Sequence, residues 1–391
     1  MTRFADKASW IELDAAAFTA NLQTFRRMMT GQNPSPRLGV VLKGNAYGHG
    51  LREVLPVVHP YVDCIYFISA EDALWMRRFE ADAGLTQKDV LVIGALSAGE
   101  VESLARHQVA AVVGDEGYRD WALHLHKART PPLRVHLHVD TGLGREGFLV
   151  DELTGVLDEI RAQAPVLQLA GVLSHFANVE DVTEQSYALQ QLHAFQDALR
   201  VCERTVPGCE RHFAASAASL VLPEARFDTL RVGISLYGLW PSTETRLSTR
   251  VVTGETPALS PVLSWRCKSQ TVRSLPAGSD IGYGCTYRCS RPTRIAVLPV
   301  GYFDGYPRLL SGKAHVLVQG KRCPLLGRVM MNHIIVDVSG VELADCNQVE
   351  ATLIGRDGDE QISAETLAGW ADTISYEIVS RLGAHLRRVV V

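Results

Sequence analysis

VVLKGNAYGHG, residues 40–50, ends three apolar residues at Lys43 and follows them with a loop holding Asn45, Tyr47, His49 and three glycines. A run this apolar is buried on both faces, as strands of a parallel sheet are. It therefore delivers one lysine to a fixed point at a strand end. With LGVVL (38–42) as the first, seven further runs of the same kind follow: CIYFIS (64–69), VLVIG (90–94), AAVVG (110–114), LRVHLHVD (133–140), LAGVLSH (169–175), RHFAAS (211–216) and LRVGISLYG (230–238). The seventh is the weakest, because its alanines suit a helix equally well. Helical patterns lie between most of the runs. Ser69 and Asp72 in SAEDALWMRRF, and Ser97 and Glu100 in SAGEVESLA, have capping-box spacing. TEQSYALQQLHAFQDALRVC (183–202) is the longest amphipathic pattern, with Leu189, Leu192 and Phe195 at helical spacing. Eight strands alternating with helices predict a TIM (β/α)8 barrel, with a doubly wound open sheet as the structural alternative.

The pattern changes after LWPST (239–243). VLSWRCKSQTV, TRIAVLPV, AHVLVQG, HIIVDVS and VEATLIG read as strands between Gly- and Pro-rich turns, with helix confined to ISAETLAGWA and TISYEIVSRL. The expected organisation is a barrel domain, residues 1–243, whose first dozen residues can pair with the following domain, and a mostly β domain, residues 244–391.

The chain has 391 residues, a net charge of −4 and no run of five like charges, which disfavours nucleic acid or an acidic membrane surface as partner. The first residues, MTRFADKASWIELD, lack the apolar stretch of a signal peptide, and no segment is apolar for the length of a spanning helix, so a cytoplasmic location is expected. The eight cysteines contain no CxxC and read as free thiols.

In a TIM barrel, chemistry sits at the C-terminal ends of the strands. Lys43 ends the first run, Asp140 and Arg145 follow the fifth, His175 ends the sixth, Ser216 ends the seventh, and Gly233 and Ile234 come just after Arg231 in the eighth. A lysine desolvated at that rim has its charged form disfavoured and can act as an amine nucleophile. Ser216 and the backbone near Gly233 can hold a phosphate, as loops after strands seven and eight often do. Pyridoxal phosphate needs both features. His136 and His138 share a strand face, but a metal would need a third ligand and none is evident; His124 and His126 read as surface residues of a helix. Cys285 reads as a small packing residue.

These residues carry a resemblance. VVLKGNAYGHG, HVDTGLGREGF, GVLSHFAN, RVGISLYGLWPS, IGYGCTY, IAVLPVGYFDGYPR, GRVMMNHIIVDVS and TISYEIVSRLG, in this order over most of the chain, resemble the motifs of alanine racemases. The resemblance implies a homodimer with shared active sites, L- and D-alanine as substrates, and a supply of D-alanine for peptidoglycan. It implies that Lys43 holds pyridoxal phosphate as a Schiff base and works as a base on one face of the substrate α-carbon. Tyr283, from the other subunit, is implied as the base on the opposite face. Arg231 would hydrogen-bond the pyridine nitrogen, leaving the ring unprotonated, because a guanidinium cannot accept a proton. His175 would lie between Arg231 and Tyr283. Tyr47, Ser216, Gly233 and Ile234 would hold the phosphate, and Arg145 would meet the cofactor's phenolic oxygen and the substrate carboxylate. Tyr302 and Met331 would frame the substrate from the second subunit.

Four positions depart from the family pattern. His138 stands where many members carry a carbamylated lysine that steadies the following arginine, so His138 itself or a bound anion is expected to position Arg145. Asn332 replaces a common aspartate, Ala215 a usual asparagine and Gly44 a usual alanine. The C-terminal LRRVVV also lacks an expected proline. A racemase of serine or of a broader range of amino acids remains open on the same fold. A barrel decarboxylase predicts a C-terminal cysteine motif that the chain lacks, and a non-catalytic carrier of the cofactor has no use for the second domain.

Overall fold

A computed structural model describes residues 8–29, 37–180, 184–343 and 348–391. The first strand, β1 (Ser9–Leu13), is followed by eight that form one sheet: β2 (Arg37–Val41), β3 (Cys64–Phe67), β4 (Asp89–Val92), β5 (Ala110–Val113), β6 (Leu133–His138), β7 (Leu167–Leu173), β8 (Glu210–His212) and β9 (Thr229–Val232). Neighbours pair in parallel in the order β8-β7-β6-β5-β4-β3-β2-β9. The circle closes between β8 and β9 by a parallel bridge between Ala215 and Arg231 and by Asp228 N–H donating to Arg211 O at 3.0 Å. All eight expected strands are present. β8 is shorter than its apolar run, which places Ser216 at the start of a helix (Ser216–Val221). β9 stops at Val232, so Gly233 and Ile234 lie beyond the strand rather than within it.

The barrel strands are buried because every face meets apolar side chains. Leu38, Val40, Ile65, Phe67, Val92, Ala111, Val135, Leu137, Val172 and Val232 pack outward beneath the helices, in the main core. Val41, Tyr66, Leu91, Val112 and Leu173 fill the interior. At the opposite end from the site, Arg37 pairs with Asp89 and with Glu210 (3.0 Å), and Arg134 with Asp89 (2.7 Å), tying β2, β4, β6 and β8 together. Ser97 and Glu100 form the expected capping box of the helix Ala98–Arg106, whereas at Ser69 only the half from Asp72 N–H to the serine hydroxyl forms. In the helix Ser186–Thr205, Leu192 and Phe195 are buried but Leu189 faces solvent; Ala188 and Gln191 take the inner positions instead.

The second domain is built on β10 (Leu263–Lys268). It pairs antiparallel with β1 on one side and with Glu350–Asp357 on the other. The last strand, Arg387–Val390, pairs in parallel with β1, so both chain ends enter this sheet. His315–Val318, Lys321–Pro324 and Glu360–Ile362 extend the same sheet, and a three-stranded sheet (Thr271–Leu275, Thr293–Leu298, Ile334–Asp337) and a short hairpin (Asp280–Ile281 with Tyr287–Arg288) stand beside it. The two expected helices form over Ala364–Ala371 and Ser375–Ser380, but helix is not confined to them, because Thr243–Thr253 forms another, capped by the Ser242 hydroxyl. Among the described residues seven cysteines are free thiols, while Cys346 lies outside them. No helix among the described residues is long and apolar enough to cross a membrane.

Candidate active site

Beyond β2 the chain makes a left-handed turn. Gly44, Asn45, Ala46 and Tyr47 all hold φ between 53° and 62°, and Gly48 follows at 79°. Three of these residues carry a Cβ, for which this conformation is unfavourable by about 1–2 kcal/mol each. Surrounding bonds hold the turn. Asn45 Oδ1 accepts from Leu51 N–H at 2.9 Å, and His49 Nδ1 donates to the carbonyls of Ala46 (3.2 Å) and Tyr47 (3.0 Å). His49 is fully buried, stacked on Tyr237 with ring centroids 4.0 Å apart, and burial pushes its pKa down to about 3. From the second domain, Arg388 donates to the carbonyl of Gly48 through Nε (3.0 Å) and Nη2 (2.7 Å).

The turn aims Lys43 and Tyr47 into a cleft of about 450 Å³ at the C-terminal ends of the strands. Lys43, Tyr47, Arg145, His175, Ser216, Arg231, Gly233 and Ile234 all line it, as does His138. Burial first, and then the Arg145 guanidinium, hold the Lys43 amine below its ordinary value, with Glu146 acting in the opposite sense. Tyr47 is wedged between Tyr237 (5.3 Å) and Tyr376 (6.3 Å), the latter from the second domain. The Ser216 hydroxyl accepts from Gly233 N–H (2.9 Å) and Ser235 N–H (3.4 Å), which leaves its own hydrogen to donate. A side chain on Gly233 would place its Cβ 2.5 Å from Tyr47 Oη, so the backbone there is kept bare beside two hydroxyls.

Arg231 is buried, and among the described residues no carboxylate pairs with it. Nη1 donates to His212 O (2.6 Å) and His212 Nδ1 (3.1 Å); Nη2 donates to Ser174 O (2.6 Å), Phe213 O (3.2 Å) and His175 Nδ1 (3.5 Å). No hydrogen bond among the described residues uses its Nε. Burial lowers its pKa to about 10, still charged at neutral pH. Because His212 Nδ1 accepts, its Nε2 carries the proton and donates to His136 Nδ1 at 2.8 Å. Burial, reinforced by the charged arginines, keeps His136 and His175 neutral, each at about 3. His136 thus spends its Nδ1 on another imidazole, and among the described residues no group of three ligand side chains could hold a metal.

Tyr283, Tyr302 and Met331 do not line this cleft. They are exposed by 72 %, 44 % and 53 %. They share one surface of the second domain. Tyr302 N–H donates to Met330 O and Phe303 N–H to Met331 O, both at 3.0 Å, and Gly282, beside Tyr283, packs near Met330.

The chain matches the family description "Alanine racemase, N-terminal domain" over residues 13–241 and "Alanine racemase, C-terminal domain" over residues 262–390. It belongs to the alanine racemase family. An alanine racemase of Leptospira interrogans is 34 % identical over 391 residues, covering 98 % of this chain and 96 % of that one. The crystal structure of alanine racemase from Streptomyces lavendulae superposes with a TM-score of 0.87 at 32 % identity, covering 99 % of this chain and 98 % of that one. The alanine racemase of Bartonella henselae, whose structure has covalently bound pyridoxal phosphate, superposes with a TM-score of 0.82 at 25 % identity, covering 98 % of this chain and all of that one.

The Arg145 guanidinium donates to the adjacent Glu146 through Nε (3.1 Å) and Nη2 (2.7 Å), and among the described residues no hydrogen bond joins it to His138. Glu146, His212, Tyr376 and Arg388 escaped the sequence reading. Glu146 stood inside the quoted motif HVDTGLGREGF, and a charged pair in an otherwise glycine-rich loop was the signal available.

Proposed function

We propose that this chain is an alanine racemase that interconverts L- and D-alanine with pyridoxal phosphate, using Lys43 and Tyr283 as bases on opposite faces of the α-carbon. The observation that carries this reading is the convergence of Lys43, Tyr47, Ser216, Arg231 and Gly233 on one cleft. The cleft fits the cofactor. Its volume suits a small ligand, Lys43 is desolvated, and the phosphate end finds the Ser216 and Tyr47 hydroxyls beside bare backbone at Gly233. The free Nε–H of Arg231 suits a pyridine nitrogen. Ile234 opens a short helical turn, and its N–H adds to that phosphate end, those of Ser235 and Leu236 being taken by Ser216 and Gly233.

When bound, the cofactor supplies an electron sink that makes the α-proton of an amino acid removable. Lys43 then holds or returns that proton on one face, and its burial, which disfavours the charged form, favours the unprotonated amine that this needs. Arg145 orients the substrate carboxylate. His175 accepts from Arg231 at Nδ1, leaving its Nε2–H to donate to Tyr283 of the partner subunit and so set that phenol's basicity. A homodimer follows from the incompleteness of one chain. Tyr283, Tyr302, Phe303, Leu309 and Met331 are large apolar residues left exposed on the second domain, as surfaces that dock are. Tyr302 and Met331 would close the substrate end. Supply of D-alanine for peptidoglycan is the role this activity implies.

The test is to follow loss of optical activity with L-alanine, L-serine and L-lysine while recording the visible absorbance of the purified protein. Fastest loss with alanine by a coloured protein supports the reading. A coloured protein faster on another amino acid moves the substrate. A protein that stays colourless when the cofactor is added overturns it.

A further inference from the structure

We propose that Glu146 is a positioning residue, which, backed by His138, sets the guanidinium of Arg145 for the carboxylate of the substrate. This rests on the reading that Arg145 meets that carboxylate. The loop carrying the two residues is sewn down at both ends. Phe148 N–H donates to His138 O (2.9 Å), Asp140 N–H to Phe148 O (2.9 Å) and Gly147 N–H to Gly114 O (3.0 Å). Asp140 accepts from the N–H groups of Gly142 (2.9 Å) and Gly144 (3.1 Å). Gly147 sits at φ +112°, and a Cβ there would stand 2.7 Å from Asp140 N, so this backbone path admits little else.

On that fixed loop, Nε and Nη2 of Arg145 both donate to a single oxygen, Oε1 of Glu146. This occupies one edge of the guanidinium and leaves Nη1 free in the cleft that both residues line. A guanidinium held by one edge is oriented for a second carboxylate at the other. Behind the pair, the buried His138 imidazole has no hydrogen-bond partner at Nδ1, which lies 3.6 Å from the same Oε1. The charged and titratable groups around His138 are Arg231, Arg145, Asp140, Glu146, His175 and His212, and burial with the two arginines lowers its pKa to about 4. At neutral pH the ring is therefore uncharged, and it backs the carboxylate without neutralising it, its Nδ1 only just beyond hydrogen-bond distance of Oε1.

An ion pair this exposed, 56 % for Arg145 and 42 % for Glu146, adds little to folding. Its effect should therefore appear in substrate binding rather than in stability. The experiment compares wild type, Glu146→Ala, Glu146→Gln and Glu146→Asp as purified holoenzymes. Wild type must first absorb visibly and racemise alanine; failure there overturns the proposed function, not the role of Glu146. We expect KM for L-alanine to rise about tenfold in Glu146→Ala with kcat within about threefold, and Tm and cofactor absorbance to hold. Glu146→Gln should lie between, because it keeps an acceptor, and Glu146→Asp should recover part of the loss. Independently of activity, modification of Arg145 by phenylglyoxal, read by peptide mass spectrometry, should be several-fold faster in Glu146→Ala. A KM within twofold of wild type, an unchanged labelling rate, or a fall in kcat, Tm and absorbance together would overturn the proposal.

Discussion

Arg388 Nη2 lies 2.7 Å from the carbonyl oxygen of Gly48, so the last strand of the chain holds the loop that carries Lys43. Its remaining donors go to the carbonyls of Leu382, Gly383, Ala384 and Leu386, with the Glu53 carboxylate nearby. Replacing it with methionine keeps much of the volume and strands these carbonyls. We expect Arg388→Met to cost about 3 kcal/mol, seen as a Tm lower by about 5 °C or more. Cofactor retention through gel filtration should weaken with it. An unchanged Tm would mean that the left-handed turn stands without the clamp.

Gly44 has φ +62° and open space where a Cβ would go. Gly44→Ala therefore meets no clash and incurs only the left-handed penalty, about 1 kcal/mol. Chemical denaturation should show that loss with cofactor absorbance intact. A stabilised variant would contradict the backbone assignment. The alanine usual in the family at this position fits a cost that small.

Gly233 faces Tyr47 Oη at a distance no Cβ tolerates. Tyr47 cannot retreat easily between Tyr237 and Tyr376. Gly233→Ala should therefore spoil the phosphate end of the cleft. Titration of the apoprotein is expected to show pyridoxal phosphate bound about tenfold more weakly or worse, with circular dichroism unchanged. Affinity equal to wild type would separate these two residues from cofactor binding.

Four buried imidazoles, of His49, His136, His138 and His212, and the partly buried His175 have pKa values depressed below the ordinary value. The unfolded chain takes up protons at these positions near pH 6.5, and the folded chain does so only near 3 to 4 where a value is resolved. Between those limits the unfolded state binds more protons, so this stability is complete above about pH 6.5 and is lost as pH falls. Tm should decline steadily from pH 7 to pH 4. A flat profile over that range would show that these rings are not held neutral.

Much of this was legible because apolar runs and strand ends are local properties. The eight barrel strands followed from their hydrophobicity, and Lys43, Arg145, His175 and Arg231 from their positions just past or within those runs. The limits of β8 and β9 were not legible. RHFAAS and LRVGISLYG stay apolar beyond the last ladder pair, because buried helical turns need the same residues as buried strands. That the first residues pair with the second domain was expected, but the partner strand and register, β10 about 250 positions away, were not, because SWIEL alone states neither. His212 meets His136 only because the barrel curves β8 towards β6. The left-handed run through Asn45, Ala46 and Tyr47 is imposed by Arg388, His49 and Leu51, against the intrinsic preference of each residue. The functions of Tyr283, Tyr302 and Met331 came from motif resemblance alone, since on one chain they point at nothing.

The central claim is that Lys43 and Tyr283 work on opposite faces of one α-carbon. The most direct test is the rate of loss of optical activity from L-alanine by Tyr283→Phe, compared with wild type at equal bound cofactor. Tyr283 is exposed on a hairpin, so losing its hydroxyl leaves the fold and the Lys43 cleft alone. If the two bases act as assigned, the rate falls by about 10²–10⁴-fold, with the visible absorbance preserved. Racemisation within a few-fold of wild type would contradict that assignment.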